Sequence, residues 1–172
     1  MEVLDIYDKN RVKTGRTHIR GEKLANGDFH IVVFIAVFNN AGKMLIQQRQ
    51  PFKEGWSGYW DITTCGSAVS GDTSQQAASR ELYEEVGIEV DFSNTRPHFT
   101  IYAETCFCDF YLHRHDVDIN SLQLGYDEVA QVKWATKQEI FDMIDSNIFV
   151  PVHKSAIELC FALIEKRSTL AG

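Results

Sequence analysis

Residues 29–38 read Phe-His-Ile-Val-Val-Phe-Ile-Ala-Val-Phe, and no other stretch constrains the chain as tightly. β-Branched and aromatic side chains dominate the run, which marks it as a strand, and its near-continuous apolar character marks that strand as central and buried. A buried strand needs neighbours. Asn39-Asn40-Ala41-Gly42 is a turn signal, so residues 43–49 (KMLIQQR) are expected to return as an antiparallel partner. The longest apolar run, residues 31–38, falls far short of the roughly 20 residues that a membrane-spanning helix requires.

The rest of the chain supplies further strands and three helices. Residues 1–28 are more polar, and Asp8-Lys9-Asn10 reads as a turn between extended pieces at 3–7 and 11–14. Residues 50–58, with Pro51, Gly55 and Gly58, form a loop, and residues 59–65 a short extended segment ending at Gly66. The clearest helix covers Ser74–Val86. Asp72 or Thr73 can cap it, Gln75 or Gln76 falls three residues later as a capping box requires, and Gly87 sits where a left-handed residue closes a helix. Strands are expected at 88–90, 98–104, 107–113 and 129–135, with a polar loop over 114–127. Thr136-Lys137-Gln138-Glu139 opens a second helix with Ile140, Met143 and Ile144 on one face. A last helix, about 152–166, carries Ala156, Ile157, Cys160, Phe161 and Ile164 at helical spacing. Strands first, one internal helix and two terminal ones indicate an α+β architecture with helices packed on a mixed sheet.

The length of 172 residues suits a single domain spanning 1–172, with an N-terminal extended segment (1–28) and C-terminal helices (136–167) as its flanks. At 44% hydrophobic and 24% charged residues, a core can form without disulfides, and disorder is not expected. A net charge of −7 argues against a groove that holds a nucleic-acid polymer by general electrostatics. It leaves room for a small anion held by a metal or a few local cations. Met1-Glu2-Val3-Leu4-Asp5 lacks a basic and apolar leader, and Cys106-Phe107-Cys108 has no second metal-type pair to match it. A cytoplasmic protein with reduced thiols, away from membranes, is the expectation.

Chemistry concentrates on the central helix. Glu81, Glu84 and Glu85 stand at i, i+3 and i+4 and fall within about 100° of arc. Their mutual repulsion would weaken a free helix by a few tenths of a kcal/mol per pair. A divalent cation would turn repulsion into attraction, since hard ions take clustered oxygen ligands. A solvated acidic face is the alternative that the helix alone leaves open. Ala78, Leu82 and Val86 form the neighbouring buried stripe, which puts the acids at its edge, and Arg80 is placed to orient one carboxylate. Residues 72–91 hold six acids against one base, so most of the net charge lies here.

The wider spacing decides between the two readings. Gly66, five residues, Asp72, seven residues, then Arg80-Glu81-Leu82-Tyr83-Glu84-Glu85-Val86-Gly87-Ile88 resembles the signature box of the Nudix hydrolases, here at 66–88. One fixed position departs: Asp72 stands where the family has glutamate, one methylene longer. The resemblance implies an α/β/α sandwich and metal-dependent hydrolysis, with Mg²⁺ or Mn²⁺, of a diphosphate linkage in a nucleoside diphosphate derivative. It implies metal ligation by Glu81 and Glu85, with Glu84 a ligand or the group that activates water, the main-chain carbonyl of Cys65 as a further ligand, and Arg80 orienting the glutamates. Such sites are often completed by an acid from a late loop, for which Glu128 is the candidate.

Outside the box, residues 5–135 resemble, less strongly, type I isopentenyl-diphosphate isomerases. The likeness rests on Asp5-Ile6-Tyr7-Asp8 with Thr14-Gly15, Phe29-His30, Leu45-Ile46-Gln47-Gln48-Arg49, Lys53 and Trp56-x3-Trp60. Those isomerases place a catalytic cysteine where Cys65 stands, but follow it with Gly-His, and this chain has Gly66-Ser67; His30 and Glu104 match further ligand positions and Cys106 falls where glutamate is expected. They also lack the complete acid array retained here. The reading is therefore an isomerase-like Nudix hydrolase, with an isomerase or a non-catalytic nucleotide-binding domain as alternatives. Arg49 and Lys53 are the candidates for phosphate contact. Trp56, Tyr59 and Trp60 are candidates to line the substrate cleft. Cys65 has no base placed beside it by sequence, which disfavours a nucleophilic role. The acidic run from Asp116 to Asp127 lacks the glycine of a calcium loop and reads as a solvated loop. Dimerisation through the first 30 residues is a hypothesis resting on their extended, partly apolar character.

Overall fold

A computed structural model describes residues 2–165, beginning with an antiparallel hairpin of Val3–Tyr7 (β1) and Lys13–Ile19 (β2). Asp8 builds its turn, its carboxylate accepting the backbone N–H groups of Asn10 (2.9 Å) and Val12 (2.8 Å). The second strand runs beyond the expected 11–14 because β1 keeps offering backbone partners as far as Val3, opposite Ile19.

The body is a seven-stranded mixed sheet of His30–Phe38 (β3), Met44–Arg49 (β4), Trp60–Asp61 (β5), Thr64–Ser67 (β6), Phe99–Tyr102 (β7), Cys106–Arg114 (β8) and Val129–Ala135 (β9). As expected, β3 is central. It pairs in parallel with β8 from His30 opposite Cys106 to Phe38 opposite Arg114, and antiparallel with β6 on its other edge. The expected β3–β4 hairpin survives only at its tip, Phe38 opposite Met44. Thr63 explains the divergence: its hydroxyl accepts from Val37 N (2.9 Å) and donates to Leu45 O (2.5 Å), a wedge between the two strands. β4 turns instead to β9 and β5.

Alternation along β3 sends Ile31, Val33, Ile35 and Val37 to one face and Ala36 and Phe38 to the other. The first set packs against helix Ser74–Val86 (α1) through Ala77, Ala78, Leu82 and Val86. The second packs against Lys137–Asp145 (α2) and Lys154–Glu165 (α3) through Ile140, Met143, Ile157, Cys160 and Phe161. The layers are helix, sheet, helix, as the Nudix resemblance implies. Thr73 rather than Asp72 caps α1, in a reciprocal box with Gln76, and Gly87 closes it at φ 70°. Residues 88–90 form no strand: Ile88 is buried against α1's core but no neighbouring strand pairs with this segment. Residues 166 and 167, assigned above to the last helix, lie outside the described residues. No described helix is long and apolar enough to cross a membrane.

The hairpin is tied to this body. Leu4 and Ile6 are buried, and the Asp5 carboxylate accepts from Ser70 Oγ and Gly71 N, both at 2.8 Å. Arg11 forks onto the fully buried Asp109, which also receives the hydroxyls of Ser74 (2.5 Å) and Thr100 (2.7 Å). Of the apolar side chains that motivated the dimer hypothesis, Leu4 and Ile6 are used within the chain, while Val3 and Val12 remain exposed.

Candidate active site

α1 delivers its carboxylates to the sheet edge at three depths. Glu85 is buried, Glu81 half-buried and Glu84 exposed. The helical period sets the order, since Glu81 and Glu85 lie beside the stripe of Ala78, Leu82 and Val86, with Glu84 further round. Gly66 on β6 lets the helix come this close: a Cβ there would collide with the Glu81 carboxyl group.

Two contacts, one charged and one neutral, hold the acids. Arg80 reaches Glu81 Oε1 at 2.8 Å, Glu84 Oε2 at 3.1 Å and Asp72 Oδ2 at 3.2 Å, and donates to Ser67 O at 3.1 Å. The shorter Asp72 therefore keeps its link to the cluster by way of Arg80. Gln47 Nε2 donates to Glu85 Oε2 at 2.6 Å, while Gln47 Oε1 is buried without a partner. Burial and then the neighbouring Glu81 raise the Glu85 carboxyl to about 8, and burial raises Glu81 as well.

Cys65, Glu81, Glu84, Glu85, Glu128 and Arg80 all border one cavity of about 80 Å³. Helical spacing alone, however, does not converge the carboxylates on a point. Among the described residues no three His, Cys, Asp or Glu side chains form a ready-made metal centre. Arg80 draws Glu81 and Glu84 to itself and Gln47 holds Glu85, as like charges require. The donor set still fits a hard divalent cation: only oxygen ligands are offered, and one buried carboxylate is costly to ionise without added positive charge.

Basic residues form the adjoining wall. Arg49 and Lys53 border a cleft of about 390 Å³ that also reaches Cys65, Gly66 and Trp56. Lys53 is ion-paired with Glu128, and Arg49 Nη1 lies 3.7 Å from the buried Asp61. Trp56 sits half-exposed at φ 52°, its ring edge-on to Tyr59 at 5.4 Å. Trp60 does not line this cleft, contrary to the sequence expectation. It packs against the α2/α3 core with Lys133 Nζ 4.3 Å from its ring centre, because strand alternation turns it away from Asp61. The Cys65 thiol lies 3.9 Å from Asp61, and burial and that carboxylate push it well above its ordinary value, so no thiolate is favoured.

Sequence reasoning missed Arg20, Gln47 and Asp61. Arg20, at the end of β2, borders both cavities and pairs with Glu2 at 2.6 Å; nothing in its local sequence points there. Gln47 and Asp61 carried a signal: each is a polar residue at a strand position where its apolar neighbours lead one to expect core.

Comparison with known proteins bears on this arrangement. The NUDIX domain family matches residues 28–157. A Nudix hydrolase of Listeria monocytogenes is 47% identical over 151 residues, covering 88% of this chain and 89% of that protein. An isopentenyl-diphosphate Delta-isomerase of Salmonella typhi is 26% identical over 127 residues, 69% of this chain and 68% of that one. In fold, a crystal structure from Deinococcus radiodurans superposes with a TM-score of 0.76 at 20% identity, covering 92% and 99% of the two chains. The chain accordingly belongs to the Nudix family and is a Nudix hydrolase, of a kind that generally acts as pyrophosphohydrolases.

Proposed function

We propose that this chain is a cytoplasmic, divalent-metal-dependent pyrophosphohydrolase that cleaves the diphosphate linkage of a small nucleoside diphosphate derivative. The observation that carries the reading is the junction of two cavities: an acidic one bordered by Glu81, Glu84, Glu85 and Glu128, and a basic cleft bordered by Arg20, Arg49 and Lys53. When bound, Mg²⁺ or Mn²⁺ supplies charge neutralisation on the diphosphate oxygens and activation of water. Glu81, Glu85, Glu128 and the Cys65 carbonyl are the groups that would hold the cation. Arg80 fixes the rotamers of Glu81 and Glu84. Glu84, the most exposed of the three helix acids and paired with Arg80, would accept a proton from water. Arg20, Arg49 and Lys53 bind and orient phosphate oxygens, and Lys53 is released from Glu128 as it does so.

Isomerisation has less support. Ser67 stands where that likeness would want histidine, and the partly buried Cys65 thiol is turned on Asp61. The test is a panel of nucleoside diphosphates, their sugar conjugates, dinucleoside polyphosphates and isoprenoid diphosphates with Mg²⁺ or Mn²⁺. Release of phosphate or monophosphate supports hydrolysis. Interconversion of isopentenyl and dimethylallyl diphosphates, lost in Cys65→Ala, would overturn it.

A further inference from the structure

The turn that carries Glu128 is fastened on two sides by residues that do not border the acidic cavity. On one side stands Gly125. Its N–H donates at 2.9 Å to Glu85 O, one of the last carbonyls of α1, which have no donor within the helix. Its own carbonyl accepts from Glu128 N (3.0 Å) and Val129 N (2.9 Å). One residue thus links the backbones of two acids, Glu85 and Glu128, that border the same cavity. A Cβ on Gly125 would lie 2.6 Å from Glu84 O, a backbone atom of the helix that cannot swing aside. Gly125 is not in the left-handed region, so the position requires close approach rather than conformational freedom.

On the other side stands Gln50, just past the end of β4. Its backbone N–H donates to Glu128 O at 3.0 Å, and its Nε2 donates to Tyr126 O at 2.8 Å and Val129 O at 3.1 Å. Immediately before the turn, Leu122 and Leu124 pack on the α1 side of the core.

We infer that Gly125 and Gln50 are positioning residues for metal binding, clamping the 125–129 turn at the separation from α1 that lets Glu128 share a cation with Glu81 and Glu85. The inference rests on the reading that Glu128 holds the cation. The Glu128 side chain is partly exposed and paired only with the mobile ammonium of Lys53, so the backbone must keep it at the cavity once that pair opens. Glu81 and Glu85 share one helix, but Glu128 comes from a distant segment, and only tertiary contacts set its distance from them. Support of this kind behind a ligand typically changes metal affinity by about 10–100-fold.

The test is a titration of Mn²⁺ into chelator-treated full-length protein without substrate, with free Mn²⁺ read by electron paramagnetic resonance. The proteins compared are the parent, Glu128→Gln, Gly125→Ala, Gln50→Met, and each of the last two combined with Glu128→Gln. Gly125→Ala should weaken binding by about tenfold or more and Gln50→Met by less. Neither should weaken it further once Glu128→Gln is present, because both act through Glu128. Parent-like binding in either positioning variant, or a loss repeated in full in the Glu128→Gln background, would overturn the clamp and leave Glu128 as a ligand. Parent-like binding by Glu128→Gln itself would overturn the ligand assignment, and the clamp with it. If Gly125→Ala does not fold, the Gln50→Met comparison decides, since that side chain is partly exposed and its loss spares the helix contact.

Discussion

Glu85 is the residue on which stability and chemistry pull in opposite directions. Its carboxylate is buried beside Glu81 with one amide donor, so the charge is a cost that the fold tolerates. Glu85→Gln keeps an acceptor for Gln47 Nε2 and removes the charge. The metal-free variant should melt a few degrees higher than the parent, while turnover with metal falls by about 10²-fold or more, since a group that would hold the cation is lost. Thermal denaturation and initial rates on one preparation check both halves; a variant neither more stable nor less active would count against the assignment. Gly66→Ala acts from the other side of the cluster. Its methyl group would displace the Glu81 carboxyl group, so activity should drop sharply, with a smaller loss of stability. The residues of the α1 array were legible in sequence because helical spacing and the box positions both point to them. Arg20 was not, since it reaches the site only through strand pairing that brings distant segments together, and Gln47 showed only as a polar residue in an otherwise apolar strand.

At the scale of elements, α1 and the N-terminal hairpin carry separate predictions. Thr73→Ala removes the reciprocal cap from α1 and should lower stability by about 1 kcal/mol, measured by denaturant unfolding. Arg11→Ala leaves the Asp109 carboxylate buried with only hydroxyl donors; Arg11 is partly exposed, so the loss should be nearer the low end of the roughly 3–5 kcal/mol expected for a broken buried pair. The hairpin should also loosen in acid. Burial raises the Asp5 carboxyl, but Gly71 N–H, Lys13 and Ser70 outweigh it and hold the group below its ordinary value of 3.8. A depressed carboxylate stabilises the fold above its unfolded value, and that contribution is lost as pH falls through the folded one. Asp5→Asn should therefore be less stable than the parent near neutrality, with the gap closing below about pH 4. The main elements were readable from caps, turn residues and period-2 or 3.6 patterns. The parting of β3 and β4 was not, because Thr63, far from both in sequence, supplies the wedge.

Across the whole molecule, charge is sorted rather than merely negative. The acids of residues 72–91 account for most of the net −7, and Arg20, Arg49 and Lys53 stand against them across the cleft. An acidic chain can thus accept an anion through a cation and a basic wall. Arg20→Ala should raise KM by about tenfold, equivalent to about 1.4 kcal/mol of lost phosphate contact, with a smaller change in kcat. Trp60 marks the limit of reading such a wall from sequence: aromatic type and spacing made it a cleft residue, and the face of its strand packed it, partly buried, against the core. The measurement that bears most directly on the whole account is the rate of diphosphate hydrolysis as Mg²⁺ or Mn²⁺ is titrated into chelator-treated protein, for the parent, Glu81→Gln and Glu85→Gln. The account predicts saturable activation of the parent, with phosphate or monophosphate as product, and near-complete loss in both variants. Hydrolysis that persists in chelator, or that survives both substitutions, would contradict it.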